Sequence, residues 1–166
     1  MRWDPASTQE DLTILNDGRT LAWRRDSVAS WLGSQTTARL AGGSYSWDFI
    51  IEEIADRQIG VGIMLVPPDW GFFRYLGAGR NAWAYDAYEG AIVTQTKAIY
   101  SDLPRIERRG TVSVSLDLEN SRSCTFLVDN EVTPAIQLPD DATVIPAACL
   151  LRKGQIVTIA NFHRAS

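Results

Sequence analysis

Between residues 111 and 118 the chain alternates without a break. Val112, Val114, Leu116 and Leu118 are apolar, and Thr111, Ser113, Ser115 and Asp117 between them are polar. Successive side chains of a strand point to opposite faces, so this stretch predicts a strand with one face in a core and the other in water. The same period recurs along most of the chain. Leu12 and Ile14 alternate with polar neighbours, Asp17-Gly18 offers a tight hairpin turn, and Leu21 and Trp23 lie two apart on the return. After Gly42-Gly43, Trp47, Phe49 and Ile51 share one face of a longer strand, and Asp56-Arg57 turns the chain into Ile59, Val61 and Ile63. Gly60 and Gly62 fall on the opposite face, which predicts the close approach of something above the sheet. Beyond Glu119-Asn120 come Cys124, Phe126 and Val128, a turn at Asp129-Asn130, and a strand expected from Val132 to Leu138. A last pair is expected near Thr143 to Leu151 and Gln155 to Phe162, joined at Lys153-Gly154.

About a dozen short strands at this turn spacing, with helical periodicity nearly absent, predict an all-β fold: an antiparallel two-sheet β-sandwich or jelly roll with little or no helix. The least regular stretch runs from Pro67 to Arg80 and is rich in Pro, Gly and aromatics. A loop of that length is often functional.

Composition narrows the class. A chain of 166 residues fits one domain, read here as an N-terminal arm at 1–10 and a single sandwich domain at 11–166. With 45% apolar and 22% charged residues it can build a core without staples. The net charge of −4 favours solubility and argues against sequence-independent nucleic-acid binding, which needs a cationic face. No apolar stretch approaches the roughly 20 residues that span a bilayer, and Met-Arg-Trp-Asp-Pro lacks the apolar core of a signal peptide. A cytoplasmic protein that acts as a monomer, away from membranes, is the expectation. Cys124 and Cys149 sit in apolar β-like runs and read as reduced, buried thiols; neither spacing nor flanks point to a disulfide. His163 is the only histidine and there is no Cys-x-x-Cys pair, so neither zinc nor any other cofactor is expected.

Six segments occur in a telling order. They are Gly43-Ser-Tyr-Ser-Trp-Asp-Phe, Ile59-Gly-Val-Gly-Ile, Trp83-Ala-Tyr-Asp, Val114-Ser-Leu-Asp-Leu-Glu-Asn, Thr125-Phe-Leu-Val-Asp-Asn and Ile145-Pro-Ala. Taken together they resemble the SPRY family over about residues 40–162, with 11–23 similar to the short hairpin that often precedes its core. Asp48, Ala84 and Glu131 stand where the family usually has Glu, Gly and Gly. The resemblance implies a concanavalin-like sandwich of two antiparallel sheets with binding loops at one edge. It further implies recognition of peptides or folded partners without catalysis. The ubiquitin-ligase modules attached to many relatives have no counterpart in this sequence.

Candidate chemistry is sparse. Related sandwiches include glucanases, but their Glu-x-Asp-x-x-Glu strand motif is missing. Asp48 and Glu52 share a face four residues apart, which separates their backbones by roughly 13 Å. A retaining carboxylate pair needs about 5 to 5.5 Å and an inverting pair about 6.5 to 9.5 Å. Asp117 and Glu119 are closer, at about 7 Å, but stand beside a turn where carboxylates are common. His163 lacks a Gly-x-Ser-x-Gly elbow, and Gly77-Ala-Gly79 lacks the Lys of a phosphate loop. Arg105-Ile-Glu-Arg-Arg109 reads as a solvated loop or as a seat for an acidic partner.

The aromatics divide in two. Trp23, Trp47, Phe49 and Phe126 fall on apolar alternation and are assigned to the core. Trp70, Phe72, Phe73 and Tyr75 fall in the irregular loop, and Trp83, Tyr85 and Tyr88 follow it. Aromatics bury large area with few rotatable bonds and are enriched at binding hot spots. The expected partner-binding set is therefore Trp70, Tyr75, Trp83 and Tyr85 as anchors, with Arg74, Arg80 and Asp86 as polar contacts. Trp83 and Tyr85 share a face, so both meet the ligand or both enter the core. The ligand expected is a protein or peptide; a lectin-like carbohydrate binder is the alternative, for which Pro139-Asp-Asp-Ala is the only local hint of calcium ligands.

Overall fold

The computed structural model describes residues 1–26, 30–70 and 74–165. It is an all-β sandwich, 51% strand and 4% helical, with two antiparallel sheets not closed into a barrel. Strands are numbered β1 to β15 in chain order. In the first sheet β1 (Leu12–Leu15), β2 (Thr20–Trp23), β15 (Ile156–Arg164), β5 (Ser44–Glu53), β10 (Gly110–Asp117), β11 (Ser123–Val128) and β12 (Glu131–Val132) lie side by side. A short β13 (Ile136–Gln137) also pairs with β11. The second sheet runs β3 (Leu32–Gln35), β14 (Thr143–Leu150), β6 (Ile59–Leu65), β7 (Ala82–Asp86), β8 (Ala91–Thr94) and β9 (Lys97–Tyr100), with β4 (Leu40–Ala41) on β14.

The alternation read from sequence becomes the main core. Tyr45, Trp47, Phe49 and Ile51 of β5 pack with Val112, Val114 and Leu116 of β10 and with Cys124, Phe126 and Val128 of β11. Ile59, Val61, Ile63 and Leu65 of β6 face them from the second sheet. The polar half of β10 faces outward, where Ser113 Oγ donates to Asp48 Oδ1 at 2.6 Å. Asp129 and Asn130 take φ of 49° and 63°, the left-handed pair that a two-residue hairpin turn needs.

Two expectations differ from what forms. The strand expected from Val132 to Leu138 is split into β12 and β13 by Thr133, Pro134 and Ala135. Pro134 has no N–H to give the ladder, and the Thr133 side chain instead accepts from Phe126 N at 3.0 Å. The segment 1–10, read as an arm, carries Trp3 into the core at 1% exposure. Trp3 bridges Thr36, donates Nε1 to the carbonyl of Arg19 at 3.0 Å and stacks against Phe49.

β6 is buried along all seven residues and β14 along all but its first. Strands buried on both faces need a layer on each side. The inner layer is the first sheet. The outer one is the segment after β6, which returns across Met64, Ala82, Ala84, Ile145, Ala147 and Cys149 and seats Trp70 and Leu76 there as a second small core. The crowding expected at Gly60 and Gly62 comes partly from within the sheet. A Cβ on Gly62 would collide with the carbonyl oxygen of Trp83, and one on Gly60 would press Cys149 Sγ and Ala84 Cβ. Cys149 Sγ in turn accepts from Leu76 N in the covering layer at 3.4 Å. Among the described residues no helix is long and apolar enough to cross a membrane.

Candidate partner-binding surface

The covering segment decides where the predicted site residues lie. Trp70 is 9% exposed, and its Nε1 donates to Gln35 Oε1 at 3.0 Å, so the ring is a fastening of the loop rather than a free anchor. Arg74 places its guanidinium over that ring, 5.7 Å from the centroid. Tyr75 is half-buried and lies against Trp31, with ring centroids 4.4 Å apart and an interplanar angle of 18°. Trp31 precedes β3 and is two residues from Gly33 and four from Gln35, the spacing that puts all three on the outer face. Phe72 and Phe73 lie outside the described residues. Arg80 is exposed.

Along β7 the alternation sorts the remaining residues. Trp83 and Tyr85 point inward: Trp83 packs half-buried against the main core, and Tyr85 is fully buried against Phe126. The Tyr85 hydroxyl donates to the carbonyl of Pro104 at 2.7 Å. Of the two outcomes that their shared face allowed, the core is the one that forms, and neither ring belongs to the outer surface. Asp86 is one residue further along and therefore points outward with Ala82 and Ala84.

Asp86 lies in the wall of a cavity of about 400 Å3 on this outer face. Tyr75 lines it, Ala91, Val93 and Ala98 supply apolar lining, and Gln58, Glu89, Asp102 and Arg105 stand with Thr96 and Ser101 in the polar part. The Asp86 carboxylate accepts from Gln58 Nε2 at 2.9 Å, Tyr88 N at 3.1 Å and Glu89 N at 3.0 Å. Burial raises its pKa, opposed by these hydrogen bonds. The Tyr75 hydroxyl is also pushed up, first by burial and then by its proximity to Cys149 and Asp86. The structure thus brings Trp70, Arg74, Tyr75 and Asp86 to one outer surface and separates Trp83 and Tyr85 from them. Trp31 and Gln58 were not singled out from sequence. The usable signal was the row of small residues at outward positions of β6, β7 and β14, which marks a face that something covers.

Several of the other chemical candidates are engaged in hydrogen bonds. Asp48 accepts from Ser113 and, at 2.7 Å, from Asn161 Nδ2. Asp117 accepts from the backbone N–H groups of Glu119, Asn120 and Ser121, each at 3.0 Å, and so closes the turn after β10. His163 is an exposed residue of β15. Within 105–109, Ile106 is buried, Arg105 and Arg109 donate to the carbonyls of Glu89 and Glu52, and Arg108 reaches Glu53 at 3.5 Å. Among the described residues no group of three or more His, Cys, Asp or Glu is placed to hold a metal ion.

No protein-family model matches the sequence, and no curated protein matches it. Solved structures do. The SPRY domain of human HERC1 superposes with a TM-score of 0.71 at 22% identity, over 96% of this chain and 97% of that one. The PSpry domain of TRIM65 gives 0.74 at 16% identity, over 96% and 88%. A further human SPRY domain gives 0.70 at 16% identity, over 91% and 95%. At identities of 16 to 22% these likenesses show the fold, and the chain has the fold of a SPRY domain.

Proposed function

We propose that this chain is a non-catalytic interaction module that takes a peptide or protein partner on the outer surface around Trp31, Arg74 and Tyr75, with Asp86 in the adjoining cavity. The carrying observation is the Trp31–Tyr75 stack. Two aromatic rings are held near parallel, packed against the small core that contains Trp70 and beside a cavity with polar groups at its walls. Rigid aromatics next to a concavity are what interface hot spots are made of. Arg80 is exposed on the same segment and is available as a rim contact.

A displayed library of random peptides selected on the folded chain tests this. Calorimetry on a selected peptide should lose roughly thirtyfold in affinity with Tyr75→Ala and with Trp31→Ala, the loss expected when a hot-spot aromatic is removed. Unchanged affinity in both variants would move the site elsewhere. Failure of selection together with binding on a glycan array would replace the protein partner by a carbohydrate.

A further inference from the structure

The cavity beside Tyr75 carries more negative than positive charge in its lining. Asp86, Glu89 and Asp102 bring three carboxylates to it, and Arg105 is its only cation among the described residues. The Arg105 guanidinium donates from Nε to the backbone carbonyl of Glu89 at 3.2 Å. None of the ion pairs among the described residues uses any of the three carboxylates.

Asp86 makes this more than a solvated acidic rim. It is 2% exposed, yet its donors among the described residues are neutral: the Gln58 amide and the N–H groups of Tyr88 and Glu89. A buried carboxylate ordinarily has a counter-charge, because its desolvation is costly and only partly offset by neutral donors. Among the described residues no ion pair supplies one to Asp86, and a cavity of about 400 Å3 adjoins it. The acids are not grouped for a metal ion. The rest of the lining suits an organic cation on an alkyl stem. Ala91, Val93 and Ala98 can cover methylenes, and Tyr75 presents aromatic surface to a positive head.

We propose that this cavity receives a basic side chain, lysine or arginine, from the protein partner, with Asp86 as its principal counter-charge. The proposal rests on the partner surface described above and adds to it the chemistry of one partner residue. Glu89 and Asp102 steer the cation from the rim, and Asp86 holds it at depth.

The probes are N-acetyl-arginine amide, N-acetyl-lysine amide and the neutral N-acetyl-norleucine amide, titrated into the isotope-labelled chain and followed by amide resonances. The basic amides should shift Glu89, Ala91, Ala98 and Ser101, and norleucine should not. The larger response of the two basic amides identifies the residue. Asp86→Asn should abolish the shifts while leaving amide resonances of the first sheet in place. If Asp86→Asn does not fold, the Glu89→Gln, Asp102→Asn double variant carries the test and should weaken binding about tenfold, a decade per 1.4 kcal/mol of lost attraction. Equal shifts with norleucine, no shifts with either basic amide at millimolar concentration, or shifts unaffected by these variants would overturn the proposal. These outcomes are separable from the wider reading. Library peptides that depend on Tyr75 but carry no basic residue and ignore Asp86→Asn would leave the partner surface standing and remove the cation site.

Discussion

Trp70 occupies the space that a side chain at position 33 would need: a Cβ on Gly33 would stand 2.5 Å from Trp70 Cζ3. The indole is held there by its bond to Gln35, two residues along the same strand face. Gly33→Ala must therefore push Trp70 off β3 and disturb the covering segment. A destabilisation of about 1 to 3 kcal/mol is expected, as for other overpacked sites. Trp70→Ala should cost about 3 kcal/mol or more, since it empties the second core. Urea unfolding checks both. Midpoints equal to wild type would mean that Trp70 is not a structural fastening.

The misplacement of Trp70 in the sequence reading has a physical reason. Period-two alternation reports which residues of a strand face the core, and it located the strands of the first sheet, including Trp47 to Ile51 and Val112 to Leu116, but not β3, β4, β8 or β9 of the second. It says nothing about a segment without periodicity. Residues 67–80 look like an open loop until it is known that β6 and β14 have small residues outward and need a cover. Gly60 and Gly62 carried half of that message. The other half, Ala147 and Cys149, lies some 90 positions away in sequence and joins the same face only through strand pairing. Trp3 was missed for the same reason, because it enters the core by a single bridge to Thr36 with no strand of its own.

Trp47 is 1% exposed and its Nε1 is the buried side-chain polar atom without a hydrogen-bond partner among the described residues. Two costs can be separated there. Trp47→Ala removes the whole ring and should destabilise by about 3 to 5 kcal/mol. Trp47→Phe loses volume but also removes the unsatisfied N–H, whose burial costs about 1 to 3 kcal/mol. Its urea midpoint should lie much nearer to wild type than to Trp47→Ala. Equal losses in the two variants would show that the N–H has found a partner in solution.

Cys124 on β11 and Cys149 on β14 are free, fully buried thiols on different sheets, and burial pushes the pKa of each up to about 12. The thiolate is the reactive form, so both should be inert to a thiol reagent in the native state. On unfolding both should titrate without a reductant. Rapid native-state labelling of Cys149 would mean that the covering layer at Leu76 opens readily; no labelling after unfolding would mean that the thiols are paired.

Asp86 and Asp117 should give opposite pH dependences of stability. Burial raises the pKa of Asp86 in the folded state. From the unfolded value near about 3.9 up to that raised value, the folded chain holds a proton that the unfolded chain has lost. Stability from this group is therefore greatest at acid pH and falls as pH rises through the window. Hydrogen bonds from the amides of Asn120, Ser121 and Glu119 instead hold the pKa of Asp117 well below the usual carboxylate range. Its contribution is fully present above the unfolded value and is lost as pH falls toward the folded one. Asparagine at either position removes the titration. The stability of wild type relative to Asp86→Asn should decline from acid to neutral pH, while that relative to Asp117→Asn should rise. Urea unfolding of the three proteins between about pH 3 and pH 7 reads both slopes at once. Parallel curves would show that neither carboxylate titrates differently in the folded chain. A wild type that gains on Asp86→Asn as pH rises would mean that a positive charge already reaches Asp86, so that the cavity is compensated before any partner arrives.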